Sequence, residues 1–167
     1  IGGGDGKVKK ICTEGGKWNL SHEALIDGKV TSLSLSNDKK ELIVGTSKSK
    51  IYRMLTSDLS FMIHTDAHYG GINDLAFGNN DNEFVCIDET GILKIWDNSE
   101  YKTTFTASGG KNVEGCSCCV AEDNSIVTGW SDGFIRCFDP QSHAILWEVA
   151  GAHKGRVTSV YADANYI

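Results

Sequence analysis

The chain has 167 residues, 40% hydrophobic and 23% charged, with 16 basic against 22 acidic residues for a net charge of −6. That balance fits a globular chain able to bury roughly two thirds of its unfolded surface and argues against disorder. The longest apolar runs, such as Cys118 to Ala121 and Ala144 to Trp147, fall far short of the roughly 20 residues of a membrane helix. No basic cluster is denser than Lys48-Ser49-Lys50 or Lys7-Lys9-Lys10, too thin for the counterion release that drives nucleic-acid binding. Neither a membrane nor a nucleic acid is expected as partner.

The opening Ile1-Gly2-Gly3-Gly4-Asp5-Gly6 has no initiator Met, basic n-region or apolar h-region, so it is neither a signal peptide nor a natural start. The chain is expected to be cut from something longer. Residues 1–4 read as the end of a second strand and Val8 to Ile11 as a third, with an Asp5-Gly6 hairpin turn between them. The next unit runs through Val30 to Leu35, Glu41 to Gly45, Ile51 to Met54 and Leu59 to His64. A third repeats the order as Ile72 to Phe77, Glu83 to Asp88, Leu93 to Trp96 and Tyr101 to Thr106. A fourth follows as Val113 to Cys118, Ser125 to Trp130, Ile135 to Phe138 and Ala144 to Val149, and Val157 to Ala162 opens another, with Tyr166-Ile167 where its second strand begins.

The first strands start 42, 41 and 44 residues apart, at Val30, Ile72, Val113 and Val157, and the third strands end 43, 42 and 42 apart, at Ile11, Met54, Trp96 and Phe138. Two series with one period define a repeat. Thr90-Gly91 and Asp132-Gly133 supply hairpin turns with a residue suited to positive φ. Helical periodicity is absent, and the single Pro140 sits in a turn. The fold class is therefore all-β, and the boundaries are 1–28 for the end of one unit, 29–70, 71–111 and 112–153 for whole units, and 154–167 for the start of the next. An antiparallel unit of this size cannot bury both faces alone, so units must stack. In the first strands, bulky Leu33, Leu35, Leu75 and Phe77 alternate with Ser32, Ser34, Asp74 and Ala76, which lets neighbouring sheets approach. Radial stacking of such sheets is a β-propeller with about four four-stranded blades.

Trp96-Asp97 resembles the dipeptide that names WD repeats, Phe138-Asp139 its degenerate form, and Ala67-His68 and Ala152-His153 the Gly-His dipeptide before the first strand. The chain is thereby similar to the WD40-type propeller family over nearly its whole length, and is expected to be part of a larger, seven-bladed or tandem, propeller. The resemblance implies a structural hydrogen-bond set of His, turn Asp, Ser or Thr, and Trp. His68 and Trp96 match it, with Asp88 a loose candidate for the turn Asp. Thr128, Asp132, Phe138, Asp139 and His153 fall at the corresponding positions of the next units, where Phe138 replaces Trp and no His stands near Gly109-Gly110. The strings Gly45 to Arg53, Gly129 to Phe138 and Ala152 to Thr158 further resemble WD-repeat proteins of motile cilia that are built as long chains of two tandem propellers.

Cys116-Ser117-Cys118-Cys119 lacks the partner pair or His that a zinc site needs. On a strand, Cys119 lies on the face opposite Cys116 and Cys118, so the group reads as buried filler between blades. With Cys12, Cys86 and Cys137 the six thiols form no regular framework and read as reduced, in an intracellular protein. No nucleophile, base and orienting group can be placed together, so no enzyme, cofactor or metal is expected. Arg53 and Arg136 read as edge or inter-blade ion-pair residues. Trp130, just before the Ser131-Asp132-Gly133 turn, reads either as an aromatic anchor on the rim or as packing against the next blade. Tyr69, Glu89 and Lys154 join it as candidate partner contacts from rim loops. The function read from these features is a non-enzymatic protein-binding scaffold of the cytoplasm. The narrower resemblance implies the axoneme of cilia or flagella, with tubulin and axonemal structural proteins as partners. The alternative is an adaptor or substrate receptor in a regulatory complex such as a ubiquitin ligase.

Overall fold

The second strand of every full unit is a near-continuous apolar run: Leu42-Ile43-Val44, Phe84-Val85-Cys86-Ile87 and Ile126-Val127. A strand that is apolar at successive positions must be covered on both faces, and these runs are the most buried segments of the molecule. The computed structural model describes residues 1–66, 68–100 and 102–163, with the side chains of residues 64–66 and 104–105 left out of the description. The expectations placed on Ala67, Tyr101 and Tyr166-Ile167 lie outside the described residues.

Among the described residues there are fourteen strands and no helix. The hairpin of β1 (Lys7–Glu14) and β2 (Lys17–Leu25) is followed by three four-stranded antiparallel sheets. The first full blade is β3 (Val30–Leu35), β4 (Glu41–Thr46), β5 (Lys50–Leu55) and β6 (Phe61–Asp66). The second is β7 (Ile72–Phe77), β8 (Glu83–Asp88), β9 (Ile92–Asp97) and β10 (Lys102–Ser108). The third is β11 (Gly115–Val120), β12 (Ile126–Trp130), β13 (Ile135–Phe138) and β14 (Ile145–Val149). Within each blade the strands pair in sequence order. The sheets are not closed into a ring. The expected count of about four blades becomes three complete sheets and a two-stranded one, whose second-strand position is marked by a Gly2 to Val8 bridge.

The core consists of layers between blades. Ile43 and Ile51 of the first full blade pack with Ile72, Leu75, Phe84, Cys86 and Trp96 of the second. Val85, Ile87, Leu93 and Ile95 of the second pack with Cys118, Ile126, Trp130 and Phe138 of the third. Val8 and Ile26 join Val44, Tyr52, Met54 and Leu59 in the same way. Cys119 packs in another layer, around Val127, Cys137 and Ala162.

A polar line stitches the first strands together. Asp74 Oδ1 accepts the Ser32 hydroxyl at 2.7 Å and its Oδ2 accepts the Ser117 hydroxyl at 2.9 Å and the Cys118 N–H at 3.0 Å. Ser32 Oγ in turn accepts the Leu75 N–H at 3.1 Å, and Ser117 Oγ the Val160 N–H at 3.1 Å. The small positions predicted to let sheets approach therefore also bond them.

This line corrects one register. Ser117, not Gly115, is the counterpart of Asp74, so the third full blade begins at Gly115 instead of Val113 and its first strand starts 43 residues after that of the second, while the expected strand from Val157 to Ala162 is extended chain outside any sheet. Because the displacement is two residues, side chains keep their faces. The glycine has a packing reason. Gly45 of β4 leaves space for Ile72, whose Cγ2 would lie 2.6 Å from an added Cβ, and Gly129 of β12 does the same for Val157 at 2.5 Å. In β8 the matching position is Ile87, and the relief comes from the other side, because a Cβ on Gly115 would stand 2.0 Å from Ile87 Cγ1.

Candidate interaction rim and the clusters beneath it

The turns between second and third strands, at 46–50, 88–92 and 130–135, share one edge of the stack with the loops entering the next blade. In the second full blade that edge rests on a buried cluster. His68 Nδ1 is 2.8 Å from Asp88 Oδ2 and its Nε2 is 2.8 Å from the Cys86 sulfur, with the His68 and Asp88 side chains fully enclosed. Asp88 also accepts the Thr90 hydroxyl at 2.8 Å and the N–H groups of Thr90 at 3.0 Å and Ile92 at 2.8 Å. Burial raises the Asp88 carboxyl, but His68 and these donors outweigh it and hold the group below the usual carboxylate range. Burial pushes the Cys86 thiol up, so it remains protonated. Trp96 lies stacked on Phe84 with ring centres 6.4 Å apart.

Asp88, the loose candidate, is thus the acceptor for His68. Cys86 stands at the Ser or Thr position and escaped sequence reasoning because a buried Cys reads as filler. The 42-residue period was the available signal, since Thr128 lies 42 residues beyond Cys86.

The third full blade fills the corresponding space with a different set. Trp130 is completely buried. Its indole N–H donates to Thr128 Oγ1 at 2.7 Å, while the Thr128 hydroxyl donates to the Arg136 carbonyl at 2.9 Å. A Cβ on Gly109 would meet the Trp130 ring at 2.3 Å, so the indole occupies the place beside the loop where a His would enter. The expectation of Trp130 as a rim contact is corrected by this burial: the side chain turns into the layer between blades because Gly109 and Val113 leave room for it. Arg136 covers it, with its guanidinium 5.2 Å from the Trp130 ring centre and 4.6 Å from that of Phe134. Arg136 is held by Asp132 at 2.9 Å and Glu148 at 2.7 Å, so Asp132 serves an arginine where the resemblance implied a histidine. Arg53 likewise bonds Glu41, at 2.8 Å. These ion pairs of Arg53 and Arg136 lie within their own blades.

Phe138 is buried in the layer with Trp130. Asp97 and Asp139 act locally. Asp97 accepts the Ser99 hydroxyl and N–H and the Glu100 N–H at 2.6 to 2.8 Å, and Asp139 accepts the Ser142 hydroxyl at 2.6 Å and the Gln141 N–H at 2.9 Å. These bonds build the turn to the fourth strand and depress both carboxyls. His153 is exposed, and its backbone N–H donates to the Gly133 carbonyl at 3.2 Å.

On the rim, Tyr69 is 98% exposed beside Glu89, whose carboxylate accepts the Gly71 N–H at 3.0 Å. Lys154 is exposed one blade further on, in the loop over the Gly133 turn. Neighbouring rim charges neutralise one another: Lys48 and Lys50 converge on Asp27, whose carboxyl they hold at about 2, and Arg156 bonds Glu114 at 3.1 Å. Among the described residues no three His, Cys, Asp or Glu are grouped to hold a metal ion, and no helix is long and apolar enough to cross a membrane.

Known proteins resemble this chain. Cilia- and flagella-associated protein 52 of Chlamydomonas reinhardtii is 31% identical over 167 residues, covering 96% of this chain and 26% of that protein. The chain has the fold of a β-propeller and is similar to this ciliary protein along nearly its whole length. The Homo sapiens protein of the same name is 24% identical over 139 residues, covering 81% of this chain and 22% of its own length. The propeller described here thus spans about a quarter of the curated relatives it matches. BamB from Moraxella catarrhalis superposes with a TM-score of 0.71 at 12% identity, over 89% of this chain and 44% of that one, a likeness of fold alone. No family model matches the chain.

Proposed function

We propose that this WD-repeat chain is a non-enzymatic, protein-binding scaffold of cilia or flagella, held in the axoneme by tubulin and neighbouring structural proteins. The observation that carries the reading is the 31% identity to the Chlamydomonas cilia- and flagella-associated protein along 96% of the chain. The geometry agrees with a scaffold. The buried histidine and carboxylate are used to hold loops, with Asp88 receiving several donors and both side chains fully enclosed, so neither is presented to a substrate. Blades stitched through Ser32, Asp74 and Ser117 give a rigid support on which loops such as 66–72 can present Tyr69, Glu89 and, one blade on, Lys154 to partners. We take units 29–70, 71–111 and 112–153 as its modules.

The test is to tag the full-length protein in ciliated cells, wash isolated axonemes in salt and identify by mass spectrometry what stays with it. Retention with tubulin and other axonemal proteins is expected. A soluble complex with ligase or signalling subunits would replace this reading with that of an adaptor.

A further inference from the structure

The edge of the stack opposite the rim carries six turns of the full blades, at 36–40, 56–60, 78–82, 98–101, 121–125 and 139–144. Antiparallel strands paired in sequence order place these turns together, and bonds between blades join them. The Asp81 carboxylate accepts the Asn37 N–H at 2.6 Å and the Asp38 N–H at 3.2 Å, and Asn79 Nδ2 donates to the Ala121 carbonyl at 2.8 Å. Charge is divided unequally between the two edges. The six turns hold seven carboxylates against Lys39 and Lys40, whereas the segments joining strands at the rim, from Ile26 to Arg156, hold four carboxylates against five basic residues. The acidic balance of the chain therefore resides on the edge away from Tyr69, Glu89 and Lys154.

One place on that edge lacks a donor. Between the first and second full blades lies a cavity of about 330 Å³, lined by Asp38, Glu41, Asp81 and Asn98 together with Lys40 and Arg53. Its own cations are engaged: Arg53 Nε donates to Glu41 at 2.8 Å, and Lys40 Nζ lies 3.1 Å from Asp38. Asn98 is 4% exposed. Its Nδ2 donates to the Asp81 carbonyl at 3.1 Å and to Glu41 at 3.5 Å, while its Oδ1 has no hydrogen-bond partner among the described residues. A buried acceptor without a donor is unfavourable, and here it shares a wall with carboxylates, so the group that fits is a cationic donor. A guanidinium, whose planar fork can bond an amide oxygen and a carboxylate at once, suits it better than an ammonium. A second depression of about 300 Å³ shares Glu41, Arg53 and Leu55 with the first and is otherwise apolar, with Leu55 46%, Phe61 45% and Met62 55% exposed. Every residue lining the two belongs to a complete four-stranded blade, so neither is the seat of another strand. We propose that the cavity receives an arginine of another protein, with an apolar neighbour of that arginine resting on Leu55, Phe61 and Met62. The inference rests on the scaffold reading and gives it a second face and a partner chemistry.

The probe is a fluorescein-labelled peptide with one arginine–leucine pair among glycines and serines, titrated with the full-length protein and read by fluorescence anisotropy. Two counterparts carry lysine or the uncharged isostere citrulline in place of arginine. The arginine peptide is expected to bind at about tenfold lower concentration than the lysine peptide, a difference of ~1.4 kcal/mol, and the citrulline peptide more weakly still. Asn98→Leu should abolish the advantage of arginine over lysine. Lys40→Glu should tighten the arginine peptide about threefold by adding a carboxylate at the mouth of the cavity. Thermal unfolding checks both variants, and because the Lys40 side chain is 79% exposed, its variant carries the test even where Asn98→Leu fails to fold. Equal binding of the arginine and lysine peptides would mean general attraction to an acidic edge and overturns the proposal. So does an absence of binding, whether the cavity is filled by another part of the same chain or, if sedimentation shows self-association, by a second copy. Retention of Asn98→Leu in salt-washed axonemes at the wild-type level removes the cavity from the docking contacts while leaving the ciliary reading standing. Loss of the wild type from axonemes with peptide binding intact does the reverse.

Discussion

The second and third full blades support the same edge of the propeller with opposite chemistry. In the second, a loop histidine reaches in and bonds a buried carboxylate and a thiol; in the third, a tryptophan from the end of the second strand swings into that space and bonds a threonine. One seat is ionic and the other neutral. Both side chains place a planar ring with a donor beside the second strand, whereas the first full blade packs Ile26 against Val44 at the corresponding place. The difference lies in what each arrangement responds to. A buried carboxylate ties the second blade to pH, while Trp130 and Thr128 contain no group that titrates near neutrality.

The largest effect should come from Trp130→Ala. Removing a wholly enclosed indole leaves a cavity that neighbouring strands cannot fill, and a loss of about 3–5 kcal/mol is expected in urea unfolding, together with the hydrogen bond to Thr128. A loss under about 1 kcal/mol would mean that the third blade does not depend on its indole seat. His68→Ala comes next at about 3 kcal/mol, because Asp88 keeps its charge in the interior without its aromatic partner. The pH response then distinguishes the blades. The Asp88 carboxyl is depressed when folded, so its contribution is complete above the unfolded value near pH 4 and disappears as pH falls through the lower folded value. Amide exchange in β8 and the 88–92 turn should therefore accelerate on acidification before that of β12. Equal acceleration in both blades would erase the contrast.

Gly115→Ala should cost about 1–3 kcal/mol through overlap with Ile87, and the cost should shrink in an Ile87→Ala background. A double-mutant cycle measures that coupling, and simple additivity would refute the complementary fit. The smallest effect is expected for Cys86→Ser, which keeps a donor and acceptor next to His68 and should change stability by less than about 1 kcal/mol.

Much of the fold could be read from the sequence because each strand declares itself locally: a period near 42, Gly at hairpin turns and continuous apolar second strands. What stayed hidden depends on contacts between blades. Trp130 could be read as a rim anchor or as packing against the next blade, because Gly129 and the Ser131-Asp132-Gly133 turn surround it, and only the space left by Gly109 shows why the ring turns inward. Gly115 concealed the start of β11, since Val113 looks more like a strand residue than a glycine does and Ile87, its reason, is 28 residues away. Asp88 and Cys86 were equally obscure, because their pairing with His68 exists only once the loop crosses the turn. The exposed members of the candidate rim, Tyr69, Glu89 and Lys154, could be placed from loop position alone, which is all that exposure requires.

The stitches through Ser32, Asp74 and Ser117 bear on how such a chain can change over generations. Each joins a residue to its counterpart one period later, at separations of 42 or 43. Copying or deleting one whole period in the gene therefore keeps a partner for every bond, and a propeller can lengthen by duplication at little energetic cost. A single-residue insertion inside a first strand turns the stitching side chains to the opposite face and breaks the line on both sides. Tolerated variation in length should accordingly gather in turns such as Gly15-Gly16 at the tip of the β1–β2 hairpin, while the inner strands remain fixed in step.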